Sequence, residues 1–343
     1  MTNKKFKFNK IILSLFTCLI LIFIFKDNYH LILDALSKAN YRVLFLAFIM
    51  IFLVWMGKAF SLFVLSKDQV KIKFKDILKE VLIVNFFDGV TPFASGGEPM
   101  QIYMLAKHDL GISKATNIVF QNYLVDRFIA ISLVILAGII NVVTKSFPYE
   151  NMLIYLTIIG FILNVLVIIL MILVTFSKKT GNLLIHFALK ILVSLKLIKD
   201  QEEKKEDWEE KISHFQEGSR SLLKNKAILG LSIITNLYRN ILLYIIPWLV
   251  IKSIQPSLDI NLITVFIATT FVSMIAAFVP IPGGTGGSEY SFIIFFNYYV
   301  PQDIIVTILL VWRFITYYLG IIIGGIFLNI YNRKERKNEN IIR

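Results

Sequence analysis

Six ionisable side chains sit where charge is expensive: Glu98, Asp126, Arg127, Arg239, Glu289 and Arg313 all fall inside or against long apolar runs. A charge at the centre of a bilayer costs at least about 2.5–3.5 kcal/mol on insertion scales, so such residues face a partner or a wet cavity. Arginine forks bind phosphate or carboxylate through paired hydrogen bonds, and an acid can hold such a fork until a ligand anion displaces it. Glu98 with Arg127 makes one such set and Glu289 with Arg313 a second, with Arg239 as a further cation. Asp126 adjoins Arg127, but sequence neighbours point to different faces of a helix, so these two are expected not to pair. For the amides Gln121, Asn122, Asn236 and Asn240, hydrogen bonds between packed helices are the expected role, with lining of a ligand path as the alternative.

What positions these groups is a repeated interruption. Pro92-Phe93-Ala94-Ser95-Gly96-Gly97-Glu98 and Pro282-Gly283-Gly284-Thr285-Gly286-Gly287-Ser288-Glu289 each place a proline, a hydroxyl residue, a glycine pair and a glutamate inside an apolar segment. Downstream lie Val125-Asp126-Arg127-Phe128 and Val311-Trp312-Arg313-Phe314, arginines in a similar local frame. Proline removes an N–H, and glycine adds coil entropy, so both sites break a helix. At membrane depth a break survives only where protein or a water-filled cavity satisfies the freed backbone. Two broken helices in a duplicated frame are a transporter signature. The plain alternative is two helix–loop–helix corners at the membrane surface. Glu98 and Glu289 open the following helices, where an acid also simply offsets the dipole.

The 343 residues are 57% hydrophobic, with mean hydropathy +0.71, which places the chain among polytopic membrane proteins. Cys18 is the only cysteine, which excludes disulfides within the chain and thiolate metal sites. The four histidines are scattered without metal-ligand spacing, so no metal and no cofactor are expected. Neither a nucleophile–base pair nor a P-loop is legible, so no catalytic residue is assigned. The net charge of +13 fits anionic lipid and the positive-inside rule rather than nucleic acid.

Lys4, Lys5, Lys7 and Lys10 precede the apolar run Ile11–Phe25, which lacks a small-residue cleavage site and reads as an uncleaved first span. Further spans are expected at about 43–65, 117–143, 153–176, 227–251 and 304–331. Lys58 interrupts the second and is expected to snorkel to its nearer end. Residues 177–226 form a polar insert. Its Leu183–Lys199 part is amphipathic and expected to lie in the interface, and the charge-dense run that follows is expected to be solvated. Most of the 36 lysines and arginines fall before residue 11, in loops 66–79, 99–116 and 177–226, and in the tail 332–343. Loops 26–42, 144–152 and 252–261 hold few. All the basic loops share one side only with six full crossings plus two hairpins that do not cross, about 77–106 and about 262–300, entering from opposite sides. Both termini are then cytoplasmic. Eight crossings with one misplaced loop is the alternative. The expected fold is thus an all-α polytopic membrane protein, one domain over 1–331 with a basic tail.

The segments PFASGGEPMQIYML, DRF and VPIPGGTGGSEYSF, taken together, resemble the flippase-like membrane domain of lysylphosphatidylglycerol synthases, the multiple peptide resistance factor family, across about residues 10–331. The family's first motif usually carries an arginine where this chain has Gln101, so a headgroup contact at that position does not carry over. In the synthases a cytosolic domain lysinylates phosphatidylglycerol and the membrane half moves the product outward. The resemblance implies a bacterial plasma-membrane protein of the stand-alone type, moving an anionic or polyprenyl-phosphate-linked lipid between leaflets, with a separate synthase or glycosyltransferase as a partner. The enzyme alternative is a phosphatidylglycerol lysyltransferase or another headgroup transferase; a membrane anchor for a cytosolic synthase is a third reading. Glu98, Arg127, Arg239, Glu289 and Arg313 are the expected headgroup residues. Pro92, Gly96, Gly97, Pro282, Gly283, Gly284, Gly286 and Gly287 are the expected backbone site.

Overall fold

The computed structural model describes residues 39–147, 151–177 and 224–342, with scattered positions between 30 and 37 and between 179 and 220. The run Ile11–Phe25 and most of the polar insert, including its amphipathic part, lie outside the described residues. Among those described, the chain is helical: α1 Tyr41–Ser66, α2 Phe74–Val90, α3 Gly97–Leu105, α4 Gly111–Thr144, α5 Asn151–Phe176, α6 Lys226–Ile254, α7 Leu262–Ala276, α8 Gly287–Phe296, α9 Gln302–Arg313 and α10 Leu319–Ile342. Five stretches are long and apolar enough to cross a bilayer: α1, α4, residues 155–176 of α5, α6, and 302–333 as one run. These correspond to five of the six crossings expected from sequence; the sixth, Ile11–Phe25, lies outside the described residues.

Asparagines start three of the helices. Asn40 accepts from the Arg42 N–H (3.1 Å), Asn225 from Ile228 (3.3 Å) and Asn261 from Thr264 (2.7 Å), satisfying donors that a first turn leaves free. α1 and α6 form the antiparallel centre of the bundle. Asn40 N–H donates to the Ser253 carbonyl at one end (2.7 Å), and Asn225 donates to Asp68 at the other (3.3 Å). Between them Ser61 bonds Asn122 (2.6 Å), Ser232 (2.9 Å) and Asn236 (2.9 Å), a buried polar knot joining α1, α4 and α6. Asn122 and Asn236 thus take the helix-packing role.

Two hairpins fill the remaining space. α2 and α3 enter and leave at the Asp68 end, where Gln101 donates to Glu80 (3.1 Å), His108 bonds Glu80 (2.6 Å) and Lys107 reaches the Tyr331 hydroxyl (3.1 Å). At this mouth the Lys79 hydrogen bond to Asp76 (2.9 Å) holds that carboxyl below its usual range. α7 and α8 enter and leave at the Asn40 end. There the Phe147 ring stands against Phe295 (5.6 Å), and Trp248 Nε1 donates to the Ile260 carbonyl (3.3 Å). The second limbs, α3 and α8, have 9 and 10 residues, about half of what a crossing needs. The hairpins are re-entrant and open to opposite ends, as the basic-loop pattern implied, and their tips touch each other.

Candidate charged cavity at the meeting of two helix breaks

Each tip is a short 3-10 turn, Pro92–Ala94 and Pro282–Gly284, followed by a helix that starts at the second glycine of its pair. Proline suits the first position because its fixed φ is already helical and its missing N–H has no partner to lose. The next two residues take left-handed backbone in both copies: Phe93 and Ala94 (φ 55° and 53°), Gly283 and Gly284 (φ 68° and 61°). The repeat read from sequence is therefore a repeat of backbone path. Tyr317, in the π-helical turn Phe314–Tyr318, ties the tips: its hydroxyl donates to the Gly89 carbonyl (2.7 Å), and its ring lies against Gly283, where a Cβ would overlap it.

Beside the tips lies a cavity of about 890 Å³. Its charged lining comes from six elements: Lys58 on α1, Asp88 on α2, Glu98 on α3, Asp126 and Arg127 on α4, Arg239 on α6, and Arg313 at the end of α9. Asn122, Asn240, Gly97, Gly283 and Gly284 also reach it. Glu289 stands behind Arg313. Gln121 and Asn236 are buried away from it, and Pro92, Gly96, Pro282, Gly286 and Gly287 do not line it. The second glycine of each pair makes room for protein. A Cβ on Gly97 would overlap the Asp88 carboxylate, and one on Gly287 would overlap Val279.

The pairing departs from expectation in three places. Asp126 does bind its neighbour: Arg127 Nη2 donates to Asp126 Oδ2 (3.0 Å), because the flexible arginine curls back along the helix to a shared acid. Arg239 donates to the other oxygen, joined there by Asn240 Nδ2 (2.9 Å). Glu98 consequently has no ion pair with Arg127, nor with any other cation among the described residues. Lys58 does not snorkel to the helix end; it turns inward to Asp88 (3.0 Å), since α2 brings an acid within reach. Sequence reasoning gave Asp88 no role. The signal available was one lysine well inside an otherwise apolar 26-residue helix.

The second set is closed. Arg313, only 5% exposed, ion-pairs with Glu289 (2.8 Å) and donates to the Gly283 carbonyl (3.0 Å) and to Thr285 (3.4 Å). Glu289 also accepts from the Gly286 N–H (2.6 Å) and the Ser288 hydroxyl (3.0 Å), so capping and pairing are both realised. In the first set two guanidinium groups share one carboxylate, whereas Arg313 has Glu289 to itself; the buried Nε–H donors of Arg127, Arg239 and Arg313 alike lack a hydrogen-bond partner among the described residues. Asp126 thus carries one more guanidinium than it can neutralise, facing a cavity that Glu98 also lines. No group of histidine, cysteine or acidic residues able to hold a metal occurs among the described residues.

Residues 10–324 match the family described as the lysylphosphatidylglycerol synthase TM region, and the chain belongs to that family. It is also similar to a UPF0104 membrane protein of Archaeoglobus fulgidus, 22% identical over 303 residues, covering 86% of this chain and 88% of that protein.

Proposed function

We propose that this multi-pass member of the lysylphosphatidylglycerol synthase TM-region family moves an anionic lipid between leaflets, with the phosphate carried through the charged cavity. The observation that carries this reading is the sharing of Asp126 by Arg127 and Arg239. An incoming phosphate takes over one guanidinium fork, and Asp126 keeps the other, so binding exchanges partners without leaving a bare charge. The re-entrant tips supply a second element of translocation. Hairpins that open to opposite ends and meet at one site give each side of the membrane its own gate, the geometry that alternating access uses. With the basic loops facing the cytoplasm, the first hairpin is the cytoplasmic gate and both termini lie inside.

The test uses the purified full chain in vesicles holding a fluorescent phosphatidylglycerol, with a quencher added from outside. Wild type is expected to make the inner pool quenchable, and the Arg127→Gln/Arg239→Gln double variant to insert normally and lose that activity. Translocation unchanged in the double variant would overturn the reading.

A further inference from the structure

An apolar groove of about 350 Å³ adjoins the charged cavity and has no place in the exchange just described. Phe52, Trp55 and Met56 of α1 form one wall, Leu78 and Leu82 of α2 a second, and Ile323 and Phe327 of α10 the third. Trp55 lines the groove and the charged cavity alike, so the two spaces share a wall. The lining changes character in register along two helices. On α2, Leu78 and Leu82 give way to Asn85 and Asp88, and along the last span Phe327 and Ile323 give way, towards its start, to Gly320 and Tyr317. Asn85 Nδ2 is buried without a hydrogen-bond partner among the described residues, a donor waiting at the junction. Gly320 leaves that junction open: its Cβ position lies 3.4 Å from Asn85 and 3.7 Å from Trp55, so a long side chain there would close it. Together the two spaces have the shape of one amphiphile, charged at one end and hydrocarbon at the other.

We infer that the groove between α1, α2 and α10 holds a hydrocarbon tail of the transported lipid while its phosphate occupies the arginine cavity, so that the lipid enters sideways from the leaflet onto which the first hairpin opens. This rests on the proposed headgroup site and adds the entry route. Leu78 and Phe327 lie on the parts of α2 and α10 nearest the mouth of that hairpin, which fixes the leaflet. The tail desolvates little on entry, since it passes from lipid to protein, and the groove contributes orientation rather than bulk affinity. An alcohol or phosphate without a tail engages the cavity alone.

Two probes separate the halves: phosphatidylglycerol with a photoactivatable diazirine in one acyl chain, mapped by mass spectrometry, and water-soluble glycerol 3-phosphate, read as a shift in thermal stability. Wild type is expected to take label at Met56, Leu78 and Phe327 and to respond to glycerol 3-phosphate. Met56→Trp, at a side chain 43% exposed, fills the groove from its open side; it is expected to lose about tenfold in labelling and in translocation while keeping the glycerol 3-phosphate response. Gly320→Leu is expected to do the same from the junction. Ile139→Trp, on the lipid-facing side of α4, controls for added bulk and is expected to change neither readout. Undiminished groove labelling in Met56→Trp and Gly320→Leu overturns the tail site. Labelling that persists in Arg127→Gln/Arg239→Gln shows a lipid contact independent of the cavity and overturns the link to the headgroup. Loss of the glycerol 3-phosphate response in wild type, with groove labelling intact, counts against the headgroup reading instead.

Discussion

The two hairpins share a backbone path and differ in how it is satisfied. In the second, glycine occupies both left-handed positions, Arg313 braces the turn through the Gly283 carbonyl, and Glu289 closes the circuit on Gly286, Ser288 and Arg313. In the first, the left-handed positions are Phe93 and Ala94, Glu98 has no ion pair among the described residues, and the equivalent arginine has left for Asp126. One copy is a finished structural joint. The other stores backbone strain and leaves charge uncommitted, the condition expected of a functional element. A duplicated motif thus need not mean a duplicated role, and the proposed function draws on the first copy.

The largest effect should separate the two arginines. Arg313→Met leaves Glu289 and the Gly283 carbonyl without their cation, and removing one member of a buried pair costs roughly 3–5 kcal/mol. Arg127→Met leaves Asp126 still held by Arg239 and Asn240, so its cost should be roughly 1–2 kcal/mol, while translocation is lost. Reversible unfolding in mixed detergent micelles measures both. Equal destabilisation by the two variants would break the distinction between a joint and a receptor.

Next comes Gly283→Ala. The left-handed φ costs a side chain about 1–2 kcal/mol, and the new Cβ must also displace Tyr317, which holds the Gly89 carbonyl; roughly 2–3 kcal/mol in total is expected. A smaller effect is expected from Gly97→Ala. Its Cβ meets a side chain rather than a turn, so Asp88 moves and loosens from Lys58, at about 1–2 kcal/mol. The expected signature is a translocation defect out of proportion to that loss. A Gly97→Ala variant as active as wild type would remove the Lys58–Asp88 pair from the working site.

How much of this was legible in the sequence follows from what each signal depends on. Span number and hairpin polarity follow from hydropathy and basic-loop placement, both local properties, and the five described spans and two hairpins fall where these placed them. The helix starts at Gly97 and Gly287 were legible because glycine pairs after proline have few other uses. The choice of partner was not legible. Arg127 selects Asp126 over Glu98 because α6 brings Arg239 and Asn240 to the same carboxylate, a matter of helix rotation that no spacing along one chain encodes. Lys58 finds Asp88 for the same reason: α1 and α2 pack with those two faces together. The groove beside Trp55 depends on three helices at once, and its residues read individually as ordinary apolar positions.

The smallest predicted effect carries the opposite sign. Phe93 is 56% exposed, so replacing it by glycine forfeits little burial, while relief of the left-handed backbone returns about 1–2 kcal/mol. Glycine also gains freedom in the unfolded chain, which takes back roughly 0.5–1 kcal/mol. Phe93→Gly should therefore be more stable than wild type by roughly 0.5–1 kcal/mol, and Ala94→Gly should behave alike, because each then reproduces the second turn at one position. If the strain at the first tip keeps that hairpin ready to move, the stabilised variants should translocate more slowly, despite an unaltered set of charges. Stability and rate moving in opposite directions would establish the first hairpin as the moving gate. Destabilisation by Phe93→Gly would mean that the phenyl ring holds the tip and that strain is not its organising feature.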